Sequence, residues 1–245
     1  MQKNLHGFVI HLQRAVQRQP QVEWIRQHAP CETSVVDATD GAQLTEAQRD
    51  SYVTGLHQPA YPFGLRPGEL GAFHSHRECW QRIVSGGHHA GLILEDDLEF
   101  EPSVFARAVR LAEAHAGEDA YVRFALRRRE SSAGVLATDG EIALIRPDVV
   151  ALGAVGQLVG REAARRLLAA TERFDRPIDT FLQMRWVHGV NVLSVWPSSL
   201  KEISADLGGS LIQQRTPILT KLRREFARMR YRSAVAKYSR QIGPS

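Results

Sequence analysis

The chain has 245 residues, of which 43% are hydrophobic and 24% are charged, a composition that is ordinary for a globular protein and argues against disorder. It has no run of about 18 apolar residues, so no segment is expected to span a membrane. Two cysteines are too few for a disulfide framework and the N-terminus lacks the apolar core of a signal peptide, which together predict a cytoplasmic protein.

The net charge of +4 is distributed unevenly. Residues 211–245 contain nine basic residues and one acid, so this segment carries +8 while residues 1–210 carry −4. We expect residues 216–240 to form a helix that contacts an anionic membrane surface. The alternative is a solvated terminal helix, and nucleic-acid binding is a weaker one, because the remainder of the chain shows no basic groove interleaved with aromatic residues.

The N-terminal half alternates between strand and helix patterns. We predict a strand at Leu5–Leu12, a helix that ends near His28, and a short strand at Ser34–Val36. Thr45, with Gln48 three residues later, predicts a capped helix. Residues 58–67 contain three prolines and a glycine and are predicted to be a loop.

A helix is predicted over Pro67–Ser85, because its apolar residues recur at helical spacing. The strand that follows is apolar from Gly91 to Leu94 and ends in three consecutive acids, Glu95, Asp96 and Asp97. Such a run is typical of a strand that is buried on both faces, and open α/β sheets bind ligands at the carboxyl ends of their strands. This strand end is therefore a candidate ligand site.

Three adjacent carboxylates repel one another unless solvent or a cation neutralises them. This strand end suits a site for Mg²⁺ or Mn²⁺. Either cation is held by one or two protein carboxylates and keeps other coordination positions open for substrate phosphates. Since alternate residues of an extended segment share a face, we expect Asp97 to be a direct ligand with Glu95 beside it, and Asp96 to lie opposite. The alternative is a solvated acidic turn.

The C-terminal half continues the alternation, which predicts an α/β sandwich. Its predicted strands are Tyr121–Leu126, Glu141–Ile145, Val155–Val159 and Val190–Trp196, and its predicted helices are Pro102–Ala116, Arg161–Ala170 and Ile178–Val187. Arg127–Gly140 is predicted to be a loop, whose three arginines at 127–129 are either solvated or hold the phosphate of an anionic acceptor. A helix over Ile218–Arg240 would place Phe226 and Met229 roughly opposite Tyr231 and Val235.

Several of these segments resemble glycosyltransferase family 25, which covers bacterial lipooligosaccharide galactosyltransferases and collagen galactosyltransferases. Gly68–His76 followed by Leu92–Asp97 is similar to the family signature of Gly-Glu-Ile-Gly-Cys, Ser-His and Leu-Glu-Asp-Asp. Residues 8–14, 36–41 and 176–182 resemble its first strand, its Ala-x-Asp-Gly turn and its Pro-Val-Asp segment. The sequence departs from the family at His11, Ala72 and Gln157, where the family usually shows Asn, Cys and Tyr.

The resemblance implies a GT-A-like, Rossmann-like nucleotide-sugar-binding sandwich with a mixed, mostly parallel sheet. It implies a catalytic domain over residues 1–210, followed by the basic tail at 211–245. The implied reaction is inverting and dependent on Mn²⁺ or Mg²⁺, with Asp97 as the direct metal ligand and Glu95 as a water-mediated ligand or a contact to the sugar. It moves a hexose from a UDP-sugar to a glycan or lipid-linked glycan of lipopolysaccharide or lipooligosaccharide, and galactose is the first candidate for that hexose. The enzyme would then be cytoplasmic, or peripheral at the inner face of the cytoplasmic membrane.

An inverting displacement needs one base for the proton of the acceptor hydroxyl. Asp179 is the candidate, although it lies near a helix start and its charge would also suit a cap there, and Asp148 is the reserve. The resemblance further implies that Ser75 and His76 lie beneath the donor site, the alternative being a role in the core alone. The expected donor-binding residues are His11, Leu12, Arg14, Asp37, Asp40, Gly41, Ser75, His76, Glu95 and Asp96.

Two other functions remain open from the sequence. The first is a receiver-like signalling domain, in which Asp148 would accept a phosphoryl group and Lys201 would assist. The position of the acidic strand argues against it, since that strand is third or later in the chain rather than first. The second is a transferase-like protein that binds without catalysing, which the His11 departure keeps in consideration.

Overall fold

A mixed sheet of eight strands lies at the centre of the part of the chain that the computed structural model describes, residues 4–127, 129–205, 207 and 218–241. The strands are β1 (Leu5–His11), β2 (Thr33–Asp37), β3 (Ala90–Glu95), β4 (Leu98–Glu99), β5 (Ala120–Phe124), β6 (Ser132–Asp139), β7 (Ile142–Pro147), β8 (Gly156–Gly160), β9 (Asn191–Trp196) and β10 (Lys201–Glu202). The central sheet has the order β2-β1-β3-β8-β5-β9-β7-β6, and β4 pairs separately with β10.

The helices are α1 (Gln19–His28), α2 (Glu46–Asp50), α3 (Pro67–Ser85), α4 (Pro102–His115), α5 (Arg161–Ala170), α6 (Ile178–Leu182), α7 (Arg185–His188) and α8 (Ile218–Gln241). α2 begins with the predicted capping box, in which the Thr45 hydroxyl accepts from the Gln48 amide and the Gln48 side chain accepts from the Thr45 amide. None of the described helices combines the length and the apolar character needed to cross a membrane.

Six strands of the central sheet point the same way, and β7 and β8 point the opposite way. β1 lies parallel to β2 and β3, and β5 lies parallel to β9. β8 lies between β3 and β5 and is antiparallel to both, while β7 is antiparallel to β9 and β6. The prediction of an α/β fold with a mixed sheet, most of whose strands share one direction, is confirmed.

Helices cover both faces of the sheet, which explains why its inner strands are mostly apolar. In β3, Ile93 packs into a core cluster with Phe73 and Trp80 of α3. Its neighbours Leu92 and Leu94 point to the other face, into a second cluster that includes side chains of α1 and α4. Since all three β3 residues are fully buried, β3 has no solvated face between its ends.

Two predictions of secondary structure are wrong. β6 lies within the predicted loop Arg127–Gly140; it is an edge strand that pairs only with β7 and is largely exposed, so its sequence lacks the alternation that marks a strand. The single helix predicted over Ile178–Val187 is split into α6 and α7. Met184, with φ −89° and ψ 59°, interrupts it without the glycine or proline that would have signalled a break.

α8 packs against the body of the protein along one face. Tyr231 and Val235 are buried, whereas Phe226 and Met229 are each 57% exposed, so the predicted opposition of these two pairs is confirmed. The Tyr231 hydroxyl accepts a hydrogen bond of 2.7 Å from Arg176 Nη1. The predicted boundary between residues 210 and 211 lies outside the described residues.

Candidate functional site

The candidate site is at the edge of the sheet where β1, β2 and β3 end. β3 ends at Glu95, and the chain turns at Asp96 and Asp97 before β4 begins. The predicted alternation of side chains therefore does not continue past Glu95, because the backbone is no longer extended. Glu95, Asp96 and Asp97 are called the acidic motif below.

A buried arginine neutralises two members of the acidic motif. Arg18 Nη1 donates to Asp96 Oδ1 at 2.6 Å and to Asp97 Oδ2 at 3.1 Å. Arg18, which is 5% exposed, ends a short 3-10 turn at Val16–Arg18 before α1. His11 Nδ1 lies 2.7 Å from the other oxygen of Asp96. Asp96 thus has a partner at each oxygen, and the predicted position of Asp96 opposite Asp97 is wrong.

Asp97 retains an unsatisfied oxygen. The residue is 8% exposed, and its buried Oδ1 has no hydrogen-bond partner among the residues that the structure describes. Burial first, and then the charge of Glu95, raises the pKa of Asp97 to about 7, although Arg18 acts in the opposite direction. A cation bound beside this oxygen would offset both effects.

The described residues hold no group of three or more His, Cys, Asp or Glu side chains arranged for a metal ion. A Mg²⁺ or Mn²⁺ site completed by substrate phosphates needs only one or two carboxylates. The unpartnered Oδ1 of Asp97, with Glu95 as its electrostatic neighbour, fits a site of that smaller kind.

A cavity of about 570 Å³, called the donor-side cavity below, adjoins the acidic motif. The structure brings eight of the predicted site residues to its wall: Leu12, Arg14, Asp40, Gly41, Ser75, His76, Glu95 and Asp96. Arg49 and Arg66, which the sequence did not identify, line it as well. The sequence could have indicated Arg66 as a site residue, because Arg66 directly precedes Pro67, the predicted start of α3.

Close packing of α3 against the turn after β2 shapes the donor-side cavity. A Cβ atom on Gly41 would collide with the carbonyl group of Pro67, and one on Gly71 would collide with the carbonyl oxygen of Thr39. The Ser75 hydroxyl accepts from the Thr39 amide at 2.9 Å and donates to the Gly71 carbonyl at 2.8 Å. The turn is therefore fixed on the helix.

The donor-side cavity is suited to an anionic ligand. Pro67 and Gly68, in the first turn of α3, lie at its wall, and a helix N-terminus favours negative charge. Arg49 and Arg66 add cations, while Arg14 is paired with Asp40 at 2.7 Å. The Ala42 amide, followed by Arg14, lowers the pKa of Asp40.

His76 connects α3 to the acidic motif. It is 1% exposed, and its Nε2 lies 3.6 Å from Glu95 Oε1, whereas the side chain of Glu95 is one-third exposed. His11 and Asp37, both predicted for donor binding, line a neighbouring cavity of about 770 Å³ instead. They are adjacent in the sheet register, where β1 pairs with β2.

A further cavity, of about 530 Å³, adjoins the acidic motif through two backbone hydrogen bonds. The Glu95 amide donates to the Val155 carbonyl at 2.9 Å, and the Ile203 amide donates to the Asp97 carbonyl at 2.8 Å. Val155 lines this cavity. We call it the basic cavity because its charged lining side chains are Arg123, Arg127, Arg129 and Lys201, with Glu202 as the acid among those described.

Asp179 is not itself a lining residue of the basic cavity, but it lies directly behind one of them. It is in the first turn of α6, and its Oδ2 accepts from the amide of Gly153, a lining residue, at 3.2 Å. Burial raises the pKa of Tyr121, and the charges of Glu95 and Asp179 raise it further. Both carboxylates therefore lie near the same buried phenol.

Asp148 is not brought to the acidic motif. Asp148 follows β7, and β7 runs in the direction opposite to β3. Asp148 therefore lies at the end of the sheet away from the carboxyl end of β3. Its backbone amide donates to Ser131 and its carbonyl accepts from Arg185. It lines neither the donor-side cavity nor the basic cavity.

Comparison with known proteins matches residues 4–182 to the family model "Glycosyltransferase family 25 (LPS biosynthesis protein)". A glycosyltransferase 25 family member of Drosophila pseudoobscura pseudoobscura is 26% identical over 205 residues, 80% of this chain and 32% of that protein. Procollagen galactosyltransferase 1 of Danio rerio is 32% identical over 98 residues, 38% of this chain and 16% of that protein.

The chain spans about a third of the length of the curated relatives that it matches over most of its own length. Among solved structures, mannose-1-phosphate geranyltransferase from Thermus thermophilus matches 78% of this chain and 73% of that chain at 13% identity. The TM-score is 0.41, and we base no conclusion on a likeness of that size.

Proposed function

This chain belongs to glycosyltransferase family 25, and we propose that it transfers a hexose from a UDP-sugar to a glycan acceptor, with galactose as the first candidate for the hexose. The observation that carries the proposal is the position of the acidic motif between two cavities. The donor-side cavity adjoins it through Glu95 and Asp96, and the basic cavity adjoins it through Val155. A transfer reaction needs two substrates to meet at one set of polar groups.

The donor-side cavity would hold the nucleotide. Its helix N-terminus, with Arg49 and Arg66, supports binding of a diphosphate. Asp97 and Glu95 would hold Mn²⁺ or Mg²⁺, which supplies neutralisation of the charge that develops on the departing nucleotide. Arg18 keeps Asp96 and Asp97 in place, so it is a positioning residue in this scheme.

The basic cavity would hold the acceptor, with Asp179 as the base. The bond from the Gly153 amide holds Asp179 Oδ2 directly behind the cavity wall, and an acceptor hydroxyl that reached it beside Gly153 would give up its proton there. The proton leaves as the hydroxyl oxygen attacks the sugar carbon and the bond to the nucleotide breaks on the opposite side. We propose lipopolysaccharide or lipooligosaccharide as the acceptor, following the description of the family model.

We expect UDP-galactose to raise the melting temperature of the protein in the presence of Mn²⁺. A ligand at about 100 times its Kd adds about 2.7 kcal/mol, which corresponds to a rise of about 5–10 °C for a chain of this size. The measurement is a thermal-shift series with UDP-galactose, UDP-glucose and UDP, each with Mn²⁺ and with a chelator.

This series, together with an assay of UDP-sugar hydrolysis and transfer and an incubation with acetyl phosphate, separates the alternatives. Binding without hydrolysis or transfer would favour a protein that binds but does not catalyse. If no nucleotide sugar shifts the melting temperature, while acetyl phosphate labels an aspartate, the transferase proposal is wrong and the signalling domain replaces it.

We further propose that the exposed face of α8 contacts an anionic membrane. Phe226 and Met229 are exposed there, and Lys237 and Arg240 share that side of the helix by their spacing. An apolar pair flanked by cations is the pattern of an interfacial helix. This would place the enzyme at the inner face of the cytoplasmic membrane, close to a lipid-linked acceptor.

Reversal of two charges on this face should weaken binding to anionic vesicles. Each cation near such a surface contributes about 1 kcal/mol, so Lys237→Glu with Arg240→Glu should reduce partitioning by about tenfold or more. Arg110→Glu with Arg173→Glu, at exposed positions on α4 and after α5, makes the same change in net charge and is the control. Equal losses in both variants, or binding that salt does not weaken, would contradict a specific contact through α8.

A further inference from the structure

Two cations of the basic cavity have no acidic partner among the residues that the structure describes. The side chains of Arg127 and Arg129 are exposed at the cavity wall, and no described carboxylate lies within ion-pair distance of either. Lys201, by contrast, forms an ion pair in which its Nζ lies 3.3 Å from Glu99 Oε2. The two arginines therefore contribute two positive charges that no described ion pair offsets, while Glu202 is the one described acid of the lining that has no cationic partner.

The third arginine of the basic cavity is already neutralised. Arg123 Nη1 donates to Glu130 Oε1, and the side chains of this pair are only 7% and 4% exposed. Glu130 also accepts from the Ala151 amide at 2.8 Å, so the segment that carries Arg127 and Arg129 is anchored to the opposite wall. Arg123 contributes to the shape of the cavity, and its charge is not available to a ligand.

We infer that the basic cavity binds a phosphomonoester carried by the glycan acceptor, and that Arg127 and Arg129 are its ligands. The inference rests on the proposed function, since it identifies the substrate class of the acceptor side. A phosphomonoester carries about −1.5 to −2 at pH 7, which matches two unpaired arginines better than the single charge of a carboxylate does. Guanidinium groups also bind phosphate oxygens in pairs.

The wall between this phosphate position and Asp179 is fixed by hydrogen bonds. Arg123 donates to the carbonyl oxygens of Leu152 at 3.0 Å and Gly153 at 3.2 Å. The Gly153 amide in turn donates to Asp179. A phosphate held by Arg127 and Arg129 would therefore set the distance from the acceptor sugar to the proposed base.

The donor's own diphosphate is a poor occupant of the basic cavity. The donor-side cavity has its own cations, Arg49 and Arg66, and the first turn of α3. The acidic motif lies between the two cavities, so a diphosphate at the first turn of α3 would be on the side of the motif away from the basic cavity. An anion on the acceptor is the remaining ligand of the right sign.

The test measures binding of glucose 6-phosphate, glucuronate and glucose to the intact protein by calorimetry at low salt, without nucleotide sugar. We expect glucose 6-phosphate to bind most tightly, and Arg127→Glu with Arg129→Glu to weaken its binding by about tenfold or more. The neutral variant Arg127→Gln with Arg129→Gln should show a smaller loss. The control, Arg110→Glu with Arg173→Glu, should change the Kd by less than about twofold.

Three outcomes would overturn the inference. Glucuronate binding as tightly as glucose 6-phosphate would show a site for any anion, and equal losses in the test and control variants would show an effect of net charge alone. If the protein hydrolyses UDP-sugar but does not bind glucose 6-phosphate, this inference fails and the proposed function stands. If it binds glucose 6-phosphate but no nucleotide sugar, the proposed function fails and the phosphate site stands.

Discussion

Asp97→Asn should remove almost all sugar transfer, with a loss of about a hundredfold to a thousandfold, while the protein stays folded. The amide keeps the shape of the side chain and can still accept from Arg18 Nη1, but it loses the charge that a Mn²⁺ or Mg²⁺ ligand needs. The measurement is turnover with UDP-galactose across a Mn²⁺ titration. Glu78→Gln, at an exposed carboxylate on α3, is the matched control and should retain activity.

The same substitution should stabilise the metal-free protein at high pH. Because the pKa of Asp97 rises from 3.8 to about 7 on folding, its ionisation opposes folding as pH rises through that window, and the full penalty applies above it. Asn removes the penalty, so the free energy of unfolding should rise by about 1–3 kcal/mol at pH 8. The gain should vanish near pH 4, which melting curves at several pH values would show.

Near-normal activity and metal dependence in Asp97→Asn would show that the carboxylates of the acidic motif are structural. The stability result is independent of that outcome, since it concerns burial and charge alone. A variant that is less stable than the parent at pH 8 would mean that the bond from Arg18 outweighs the cost of burying the Asp97 charge.

Asp179→Asn should reduce turnover by about a hundredfold to ten-thousandfold with little change in the affinity for UDP-sugar or Mn²⁺. A general base acts on the acceptor's proton, so its loss affects the chemical step and spares donor binding. The Asn oxygen can still accept from the Gly153 amide, which preserves the wall of the basic cavity. The measurements are turnover and the thermal shift with UDP-galactose.

Asp148→Asn is the matched control, because Asp148 follows β7 at the opposite edge of the sheet. It should behave like the parent protein. A collapse of UDP-sugar affinity in Asp179→Asn would move Asp179 to the donor site. A loss of turnover in Asp148→Asn alone would transfer the role of base to Asp148, against the position that the structure gives it.

Much of the fold could be predicted because its elements have clear physical signals. The helix α3 matches its predicted bounds, since Pro67 begins it and two glycines follow Ser85. β3 is recognisable because both of its faces are buried. β6 is different: as an exposed edge strand, it shows neither an apolar run nor a regular alternation.

The candidate site likewise has a part that the sequence could predict and a part that it could not. The donor-side cavity could be anticipated in outline, because its walls come from successive strand ends and from α3. The basic cavity could not, because segments that are far apart in sequence, at the end of β5, around Gly153 and in β10, form it together. Arg18 had no signal either, since a buried arginine before a helix resembles an ordinary exposed one in sequence.

The position of β8 also bears on how the protein is made. β3 pairs with β1, but its other neighbour in the sheet, β8, follows about sixty residues later in the chain. During synthesis the strand that carries the acidic motif therefore remains an open, apolar edge until β8 has emerged and inserted. Such an edge can pair with another nascent chain. The basic cavity, which includes Val155, can thus form only after this part of the chain has emerged, and the period before β8 inserts is when aggregation of this protein should compete most strongly with folding.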